Sequence, residues 1–167
     1  MASDIRIITT GGTFDKQYNP LDGQLTFFDS QLPKILKDSR CTSSITLECP
    51  LAIDSLYMNN EERLEIVNRM FNSPEEKVIV VHGTDTMTKT AELAKNNKAK
   101  EDNHTIVFTG AMIPYSLKDS DAIYNLGCAQ IAVQLLPPGV YICMNGKVFD
   151  ADNVYKDKSA GIFKTIK

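Results

Sequence analysis

Five short apolar stretches alternate along this chain with longer stretches in which apolar residues recur every three or four positions. The short stretches predict strands and the periodic stretches predict helices. Two of the strand candidates are so uniformly apolar that both of their faces must be covered. We predict strands over residues 5–9, 45–53, 78–81, 105–108 and 140–144. We predict helices over residues 30–37, 60–71, 88–96 and 121–136.

The helix predicted over residues 60–71 has the clearest local signals. Asn59 and Glu62 have the spacing of a capping box at its start. Apolar residues at helical spacing predict the face that packs on the sheet. This stripe comprises Leu64, Ile66, Val67, Met70 and Phe71.

The alternating order of the elements predicts parallel strands joined by right-handed crossovers. We therefore expect residues 1–167 to form a single α/β domain. The expected architecture is a three-layer α/β/α sandwich with a doubly wound, mainly parallel sheet of the Rossmann-like or flavodoxin-like kind. Ligands of such folds bind at the carboxyl ends of the strands. Residues 15–28 contain turn residues and predict a loop or hairpin that closes over this edge.

Composition and charge exclude several classes of partner. The net charge is −3, and lysine and arginine are scattered among the acidic residues, so we expect no nucleic-acid binding. No stretch approaches the length of a membrane span, and the N-terminus lacks the features of a signal peptide. We therefore expect a cytoplasmic protein without a membrane partner. The four cysteines contain no Cys-x-x-Cys pair, which argues against a metal cluster or a disulfide framework.

Three of the predicted strands end abruptly in turns that combine glycine with threonine. Because the carboxyl ends of parallel strands share one edge, we expect these turns to converge on one crevice. Hydroxyls beside exposed backbone N–H groups supply a nucleophile and oxyanion donors, which acyl transfer requires. The turns are Thr10-Gly11-Gly12-Thr13, His82-Gly83-Thr84-Asp85 and Thr109-Gly110-Ala111-Met112.

Other chemistries fit these turns less well. Neither phosphate-binding glycine pattern, GxxxxGK[ST] or GxGxxG, occurs. His104 lies at the start of its strand, at the wrong edge, and His82 is at least as well explained as a structural, hydrogen-bonded residue. No metal-ligand spacing is present, so we expect no metal and no cofactor. A threonine nucleophile remains, with a lysine, a carboxylate or a tyrosinate as its base.

Lys156 follows the last predicted strand and can reach the same edge. The sequence of this chain alone does not single out Lys156, which is one of eighteen basic residues, and a solvated side chain is the simpler interpretation. Asp85 can likewise be explained as a cap for the helix that begins near Thr88.

These motifs together resemble the N-terminal domain of the bacterial-type L-asparaginase family. The turn that ends in Thr13 is similar to the family's first threonine signature, and His82 to Met87 matches its second motif throughout. The segment from Thr109 to Pro114, followed by residues 121–126, resembles the next part of the family pattern, and residues 150–156 resemble the stretch that delivers its lysine. The similarity covers nearly the whole chain in the correct order.

The resemblance implies a two-step hydrolysis of the side-chain amide of L-asparagine. Thr13 would attack the amide, with help from Tyr18 or another group on the lid, and ammonia would leave. Thr84 would position water or contact the carbonyl, and Lys156 would act as a base. Asp85 would hold the α-ammonium group of this small amino-acid substrate.

The resemblance also implies the substrate-binding residues. Ser55 falls where the family has a serine that binds the α-carboxylate. Gly12, Gly83 and Ala111 belong to the three turns and complete the implied set. Asp54 is a hypothetical substitute for an acid that a neighbouring protomer's second domain normally contributes.

Two departures from the family pattern keep other functions open. We expect the family's second, C-terminal domain to be absent, and Leu56 stands where the family has a glutamine. One alternative is a catalytically weak amino-acid-binding protein. Another is an amidohydrolase for a peptide-linked or tRNA-linked amide. In the family, neighbouring protomers share their substrate-binding crevices, and the resemblance therefore implies a homodimer or homotetramer.

Overall fold

A six-stranded sheet forms the centre of the molecule in the computed structural model, which describes residues 4–167. Two small two-stranded sheets flank it. In chain order the elements are β1 (Ile5–Thr9), α1 (Gly12–Asp15), β2 (Lys16–Asn19), β3 (Gln24–Phe27), α2 (Leu32–Asp38), β4 (Ile45–Glu48), α3 (Asn60–Phe71), β5 (Lys77–Val81), α4 (Met87–Asn97), β6 (Thr105–Thr109), α5 (Ala122–Leu135), β7 (Gly139–Met144), β8 (Lys147–Asp150), β9 (Tyr155–Asp157) and β10 (Ile162–Lys164).

The strand order in the central sheet is β4-β1-β5-β6-β7-β8. The first five of these strands are parallel, and β8 pairs with β7 in the antiparallel direction. The parallel strands follow the flavodoxin-like order. From β1 the chain adds β4 on one side and β5, β6 and β7 on the other, so the point at which the strand order reverses lies between β1 and β5. The mainly parallel, doubly wound α/β sheet predicted from the sequence is therefore confirmed.

Successive residues of the central strands feed two hydrophobic layers on opposite faces of the sheet. In β5, Val78 and Val80 pack against α3 and α4, whereas Ile79 and Val81 pack against α2 and α5. All four side chains are fully buried, which explains why this strand is apolar throughout. The three-layer sandwich is confirmed as a single domain.

The predicted strand over residues 45–53 is shorter than expected and ends at Glu48. Pro50 has no N–H for the ladder, and the chain leaves the sheet before it. Pairing resumes only at Ile53, whose N–H donates to the Thr10 carbonyl at 2.9 Å and whose carbonyl accepts from Gly12 N–H at 3.0 Å. This single bridge ties Ile53 to the β1 turn, and Ser55, two residues further on, lies against Gly83 in the β5 turn.

The sequence interpretation overlooked the antiparallel strand β8. Asn145 and Gly146, which join it to β7, both have positive φ angles of 57° and 72°. An Asn-Gly pair with such angles is the strongest short-range hairpin signal, so the strand was predictable. The short hairpin of β9 and β10 was also overlooked, and it carries Lys156.

Helix α3 begins with the predicted capping box. The Asn59 side chain accepts from Glu62 N–H, and the Glu62 side chain accepts from Asn59 N–H. The predicted buried face was partly wrong, because Leu64 is 43% exposed whereas Arg63 is only 6% exposed. Arg63 lies one helical turn before Ile66 and Val67, so the side chain points into the protein along the face they share.

Candidate active site

Two of the three glycine-containing turns pack directly against each other where the strand order reverses. A Cβ atom on Gly12 would lie 2.6 Å from the Gly83 Cα atom, so the first turn requires glycine for this approach, whereas a Cβ atom on Gly83 would meet Ser55 instead. Gly11 and Gly12 also have positive φ angles of 90° and 63°, which disfavour other residues. The exits of β1 and β5 therefore meet in one place, as the sequence predicted.

A threonine, a lysine and an aspartate form a hydrogen-bonded cluster at this edge. Lys156 Nζ donates to Thr84 Oγ1 and to Asp85 Oδ1, each at 2.8 Å. The Lys156 side chain is 10% exposed and that of Asp85 is 37% exposed, so the ion pair is only partly screened by water. The hairpin of β9 and β10 delivers the lysine, because Lys156 pairs with Phe163 in its centre.

Thr13 lies in α1, directly after Gly12, and is half-buried. Its hydroxyl makes no hydrogen bond within residues 4–167. The packing of Gly12 on Gly83 places Thr13 and Thr84 on adjoining turns. The structure thus presents one engaged hydroxyl, that of Thr84, and one unengaged hydroxyl, that of Thr13.

Tyr18 lies in the hairpin of β2 and β3, over residues that the sequence assigned to a loop or hairpin. Its side chain is 58% exposed, and its hydroxyl has no hydrogen-bond partner in the part of the chain that the structure describes. The base of this hairpin is held by Asp15, which accepts from Thr9, Ser30 and the Gln31 N–H.

Ser55 is buried beneath the Gly83 turn rather than lining an open surface. Its Oγ atom accepts from Thr86 N–H at 3.3 Å and would lie 2.5 Å from a Cβ atom on Gly83. The neighbouring Asp54 binds Lys16, with 2.6 Å between Oδ2 and Nζ. Burial alone would raise the pKa of Asp54, but the hydrogen bonds from Lys16 and Leu56 N–H outweigh it and lower that pKa.

Ala111, in the third turn, is 1% exposed and belongs to the core that packs against α5. The preceding Gly110 is required by its surroundings, because a Cβ atom there would lie 2.4 Å from the His82 carbonyl oxygen. Asn125 donates to the Gly110 carbonyl and so fixes this turn to α5.

Lys16, which the sequence interpretation missed as a site residue, neutralises the carboxylate proposed to bind substrate. The signal available in the sequence was its position three residues after Thr13. Arg63 and Thr90 were also missed, because they lie on helices outside the motifs. Arg63 donates to Thr90 Oγ1, and Thr90 contacts His82, inside the second motif.

His82 is fully buried and hydrogen-bonded on both ring nitrogens. The pKa of His82 is lowered to about 4, chiefly by burial and also by the charge of Arg63, while the hydrogen bond to the Gly83 carbonyl opposes this shift. The imidazole is therefore neutral at pH 7. This agrees with the structural role considered for His82 from the sequence.

The buried imidazole predicts a pH-dependent stability. Between the ordinary histidine pKa of about 6.5 and the folded value of about 4, the unfolded chain binds a proton that the folded chain does not. Stability is therefore lost as the pH falls through this window, by about 2 kcal/mol at pH 5. Urea unfolding of the wild type and of His82→Asn at pH 7 and pH 5 measures it. Equal losses in both proteins would contradict this assignment.

Within residues 4–167, no group of three or more His, Cys, Asp or Glu side chains is arranged to hold a metal ion. In the same range, no helix combines the length and the apolar character needed to cross a bilayer. The residues gathered at the strand edge carry hydroxyl, ammonium and carboxylate groups.

The fold and the site together define a class of protein: a doubly wound α/β domain with a threonine–lysine–aspartate cluster at the carboxyl edge of its parallel strands. The family pattern described as "Asparaginase, N-terminal" matches residues 4–165. The chain belongs to the asparaginase family, as its motifs suggested.

Known proteins resemble the chain over most of its length. A glutamyl-tRNA(Gln) amidotransferase component of Archaeoglobus fulgidus is 29% identical over 151 residues, which are 88% of this chain and 36% of the relative. A probable cytoplasmic L-asparaginase from Campylobacter jejuni is 27% identical with a TM-score of 0.81, over 98% of this chain and 53% of that one. The thermostable L-asparaginase from Thermococcus kodakarensis has a TM-score of 0.86 at 24% identity, over 97% of this chain and 51% of that one. The chain thus spans about a third to a half of the length of these proteins.

Proposed function

We propose that this protein is an amidohydrolase that converts L-asparagine to L-aspartate and ammonia. The observation that carries the proposal is the contact of Lys156 Nζ with both Thr84 Oγ1 and Asp85 Oδ1, beside the turn that bears Thr13. Membership of the asparaginase family supports the substrate class.

In the proposed first step, Thr13 Oγ attacks the carbonyl carbon of the side-chain amide. The hydroxyl proton passes to a base, for which Tyr18 on the hairpin is the candidate, and then to the leaving nitrogen, which departs as ammonia. This leaves an ester between Thr13 and the aspartyl group. Backbone N–H groups at the Thr84 turn stabilise the oxyanion that forms on the way.

In the second step, a water molecule attacks the ester and aspartate is released. Lys156 takes the water proton in this proposal, and Thr84 Oγ1 positions the water, because the two side chains already share a hydrogen bond. A lysine can act as a base only while neutral, so this step requires Lys156 without its proton. The proton is returned to the Thr13 oxygen as the ester bond breaks.

Substrate binding in this proposal uses groups around the adjoining turns. Asp85 contacts the α-ammonium group through Oδ2, the carboxylate oxygen that Lys156 does not bind. Ser55, the family's ligand for the α-carboxylate, is covered by the Gly83 turn and binds the carboxylate only when that turn uncovers its hydroxyl. Gly12, Gly83 and Ala111 shape the turns and leave room for the substrate. Asp54 can bind the α-ammonium group only after its ion pair with Lys16 breaks, and this cost weakens the contact between Asp54 and the substrate.

Ammonia release from L-asparagine by the 167-residue chain tests the proposal. Leu56 stands where the family pattern has a glutamine, and a missing contact of this kind to a charged substrate group costs about 1.5–3 kcal/mol, so we expect weaker binding than in relatives that keep the glutamine by roughly one to two decades. The Michaelis constant should accordingly lie at or above the millimolar range, and L-asparagine should be preferred to L-glutamine, whose extra methylene displaces the amide. A constant far below millimolar, or equal turnover of both amino acids, would refute these expectations.

A second candidate function is the hydrolysis of a peptide-linked or tRNA-linked amide. The relative from Archaeoglobus fulgidus, named as part of an amidotransferase for glutamyl-tRNA(Gln), favours this alternative. The ion pair of Lys16 with Asp54 also favours it, because it leaves one carboxylate fewer for a free α-ammonium group. Faster release of ammonia from N-blocked asparagine than from free asparagine would support this alternative.

The remaining alternative is a catalytically weak amino-acid-binding protein. It predicts that aspartate raises the melting temperature while no ammonia is released from L-asparagine, L-glutamine or N-blocked asparagine. The same preparation therefore separates all three functions.

We also propose that the protein assembles as a homodimer or homotetramer. Helix α5 supports this, because Ile123, Ile131 and Leu135 are exposed beside an apolar groove of about 670 Å³. Exposed apolar patches on soluble proteins commonly mark association surfaces. Light scattering of the purified protein measures the assembly directly.

A cytoplasmic location is proposed as well. Its support is the likeness to the Campylobacter jejuni protein, whose name describes it as a probable cytoplasmic L-asparaginase.

A further inference from the structure

A chain of hydrogen bonds connects α3 to the turn that bears Thr84. Arg63 Nη1 lies 2.6 Å from Thr90 Oγ1 on α4, and Thr90 Oγ1 lies 2.8 Å from His82 Nε2. His82 Nδ1 in turn lies 2.8 Å from the Gly83 carbonyl oxygen. All three side chains in this chain are buried.

The chemistry of the donors sets the direction of every bond in the chain. Arg63 can only donate, so Thr90 Oγ1 accepts from it. The Gly83 carbonyl can only accept, so the neutral His82 ring donates to it from Nδ1, and Nε2 accepts the Thr90 hydroxyl hydrogen. His82 Nε2 is then an acceptor, and the ring hydrogen resides on Nδ1. A neutral imidazole of this tautomer donates to the Gly83 carbonyl, which leaves no unsatisfied group along the chain.

The contact with the Gly83 carbonyl orients the adjoining N–H group of Thr84. The carbonyl of Gly83 and the N–H of Thr84 belong to one planar trans peptide, so they point in opposite directions. With the carbonyl held by His82, the Thr84 N–H points away from the imidazole. It has no acceptor within residues 4–167.

Arg63 also holds the segment that contains Ser55. Arg63 Nη2 donates to the carbonyl oxygens of Met58 at 3.1 Å and Ser55 at 3.4 Å. Thr86 Oγ1 donates to the same Ser55 carbonyl at 2.9 Å. One buried guanidinium therefore ties residues 55–58 and the Gly83 turn to a common point.

A buried arginine is costly, and this one donates to no carboxylate in the part of the chain that the structure describes. A hydrophobic residue would fill this position on α3 without that cost. Within the described residues, Arg63 donates its hydrogen bonds to Ser55, Met58 and Thr90, which lie next to the candidate active site.

From this geometry we propose that Arg63, Thr90 and His82 are positioning residues, which orient the Gly83–Thr84 peptide so that the Thr84 N–H is a fixed oxyanion donor. The proposal rests on the proposed amide hydrolysis. It concerns the orientation of one donor and assigns no proton transfer to His82.

Paired variants of Thr90 test the first half of this hydrogen-bond chain, from Arg63 to His82. Thr90→Val removes the hydroxyl with little change of shape, and we expect kcat to fall roughly 10- to 100-fold with KM nearly unchanged, because the oxyanion forms only after binding. Thr90→Ser restores the hydroxyl and should recover most of kcat. An equal loss in both variants, or a loss confined to KM, would overturn the proposal.

Paired variants of His82 test the last bond. In His82→Asn the side-chain amide nitrogen takes the place of Nδ1 and can still donate to the Gly83 carbonyl, whereas His82→Leu cannot. Both variants lack Nε2, so the comparison isolates the donor. We expect kcat of the leucine variant to lie at least about 10-fold below that of the asparagine variant. Identical kcat values would contradict the assigned role.

Nitrogen-15 NMR of the histidine rings separates this proposal from the proposed function. We expect His82 to show the Nδ1–H tautomer at pH 7, and Thr90→Val to shift the Thr84 amide resonance, whereas a remote control, Thr42→Val, should not. These NMR signals do not depend on turnover. An inactive wild type would refute the proposed amidohydrolase activity, and the NMR signals would still test the hydrogen-bond chain. An Nε2–H tautomer, or an unmoved Thr84 resonance, would overturn the network.

Discussion

Replacing Thr13 with valine is expected to lower kcat for asparagine hydrolysis on the order of 10⁴-fold, because the attacking hydroxyl is lost. Valine keeps the branched shape of threonine, and the Thr13 hydroxyl makes no hydrogen bond within residues 4–167 that would be sacrificed. The melting temperature should therefore stay nearly constant. Steady-state ammonia release together with thermal unfolding measures both quantities.

The matched control is Thr42→Val, at an exposed loop position remote from the strand edge. It should preserve both activity and stability. If Thr13→Val kept more than about a tenth of the wild-type kcat, a nucleophilic role for Thr13 would be untenable.

Replacing Lys156 with methionine is expected to lower kcat by roughly 10²- to 10⁴-fold, the usual contribution of a general base. Methionine fills a similar volume but removes the contacts to Thr84 Oγ1 and Asp85 Oδ1. Because the base is needed to activate water, the second step should become rate-limiting. A burst of ammonia followed by slow turnover should then be visible in rapid-mixing experiments.

Lys156→Arg distinguishes a base from a fixed positive charge. Arginine keeps the charge but does not lose its proton in proteins, so this variant should be nearly as inactive as the methionine variant. Lys95→Met is the control, since Lys95 pairs with Asp152 at 2.7 Å on the surface, where such pairs contribute little. An active arginine variant would show that charge alone is required.

The fold was predictable because its core strands are buried on both faces. Continuous apolar runs such as β5 can be recognised without knowledge of their neighbours, and the alternation with helices then leaves few topologies. Elements that depend on local turn geometry were harder to predict. The strand β8 is short and largely exposed, and only the Asn145-Gly146 turn indicates it.

The site was predictable only in part, for a related reason. Glycine and threonine at strand exits mark the edge itself, and the structure brings Thr84, Asp85 and Lys156 together there. The ion pair of Lys16 with Asp54 arises from the meeting of two distant segments, which periodicity does not encode. Arg63 was assigned to no site because a charged residue on an amphipathic helix normally faces solvent.

The central claim is that Thr13 carries the acyl group which water, activated at Thr84 and Lys156, then removes. Mass spectrometry of Lys156→Met, quenched during turnover of asparagine and digested, tests it most directly. The account predicts an aspartyl group attached to the peptide that contains Thr13, absent from the double variant with Thr13→Val. An adduct on a different residue, or turnover by the double variant at the rate of Lys156→Met alone, would contradict it.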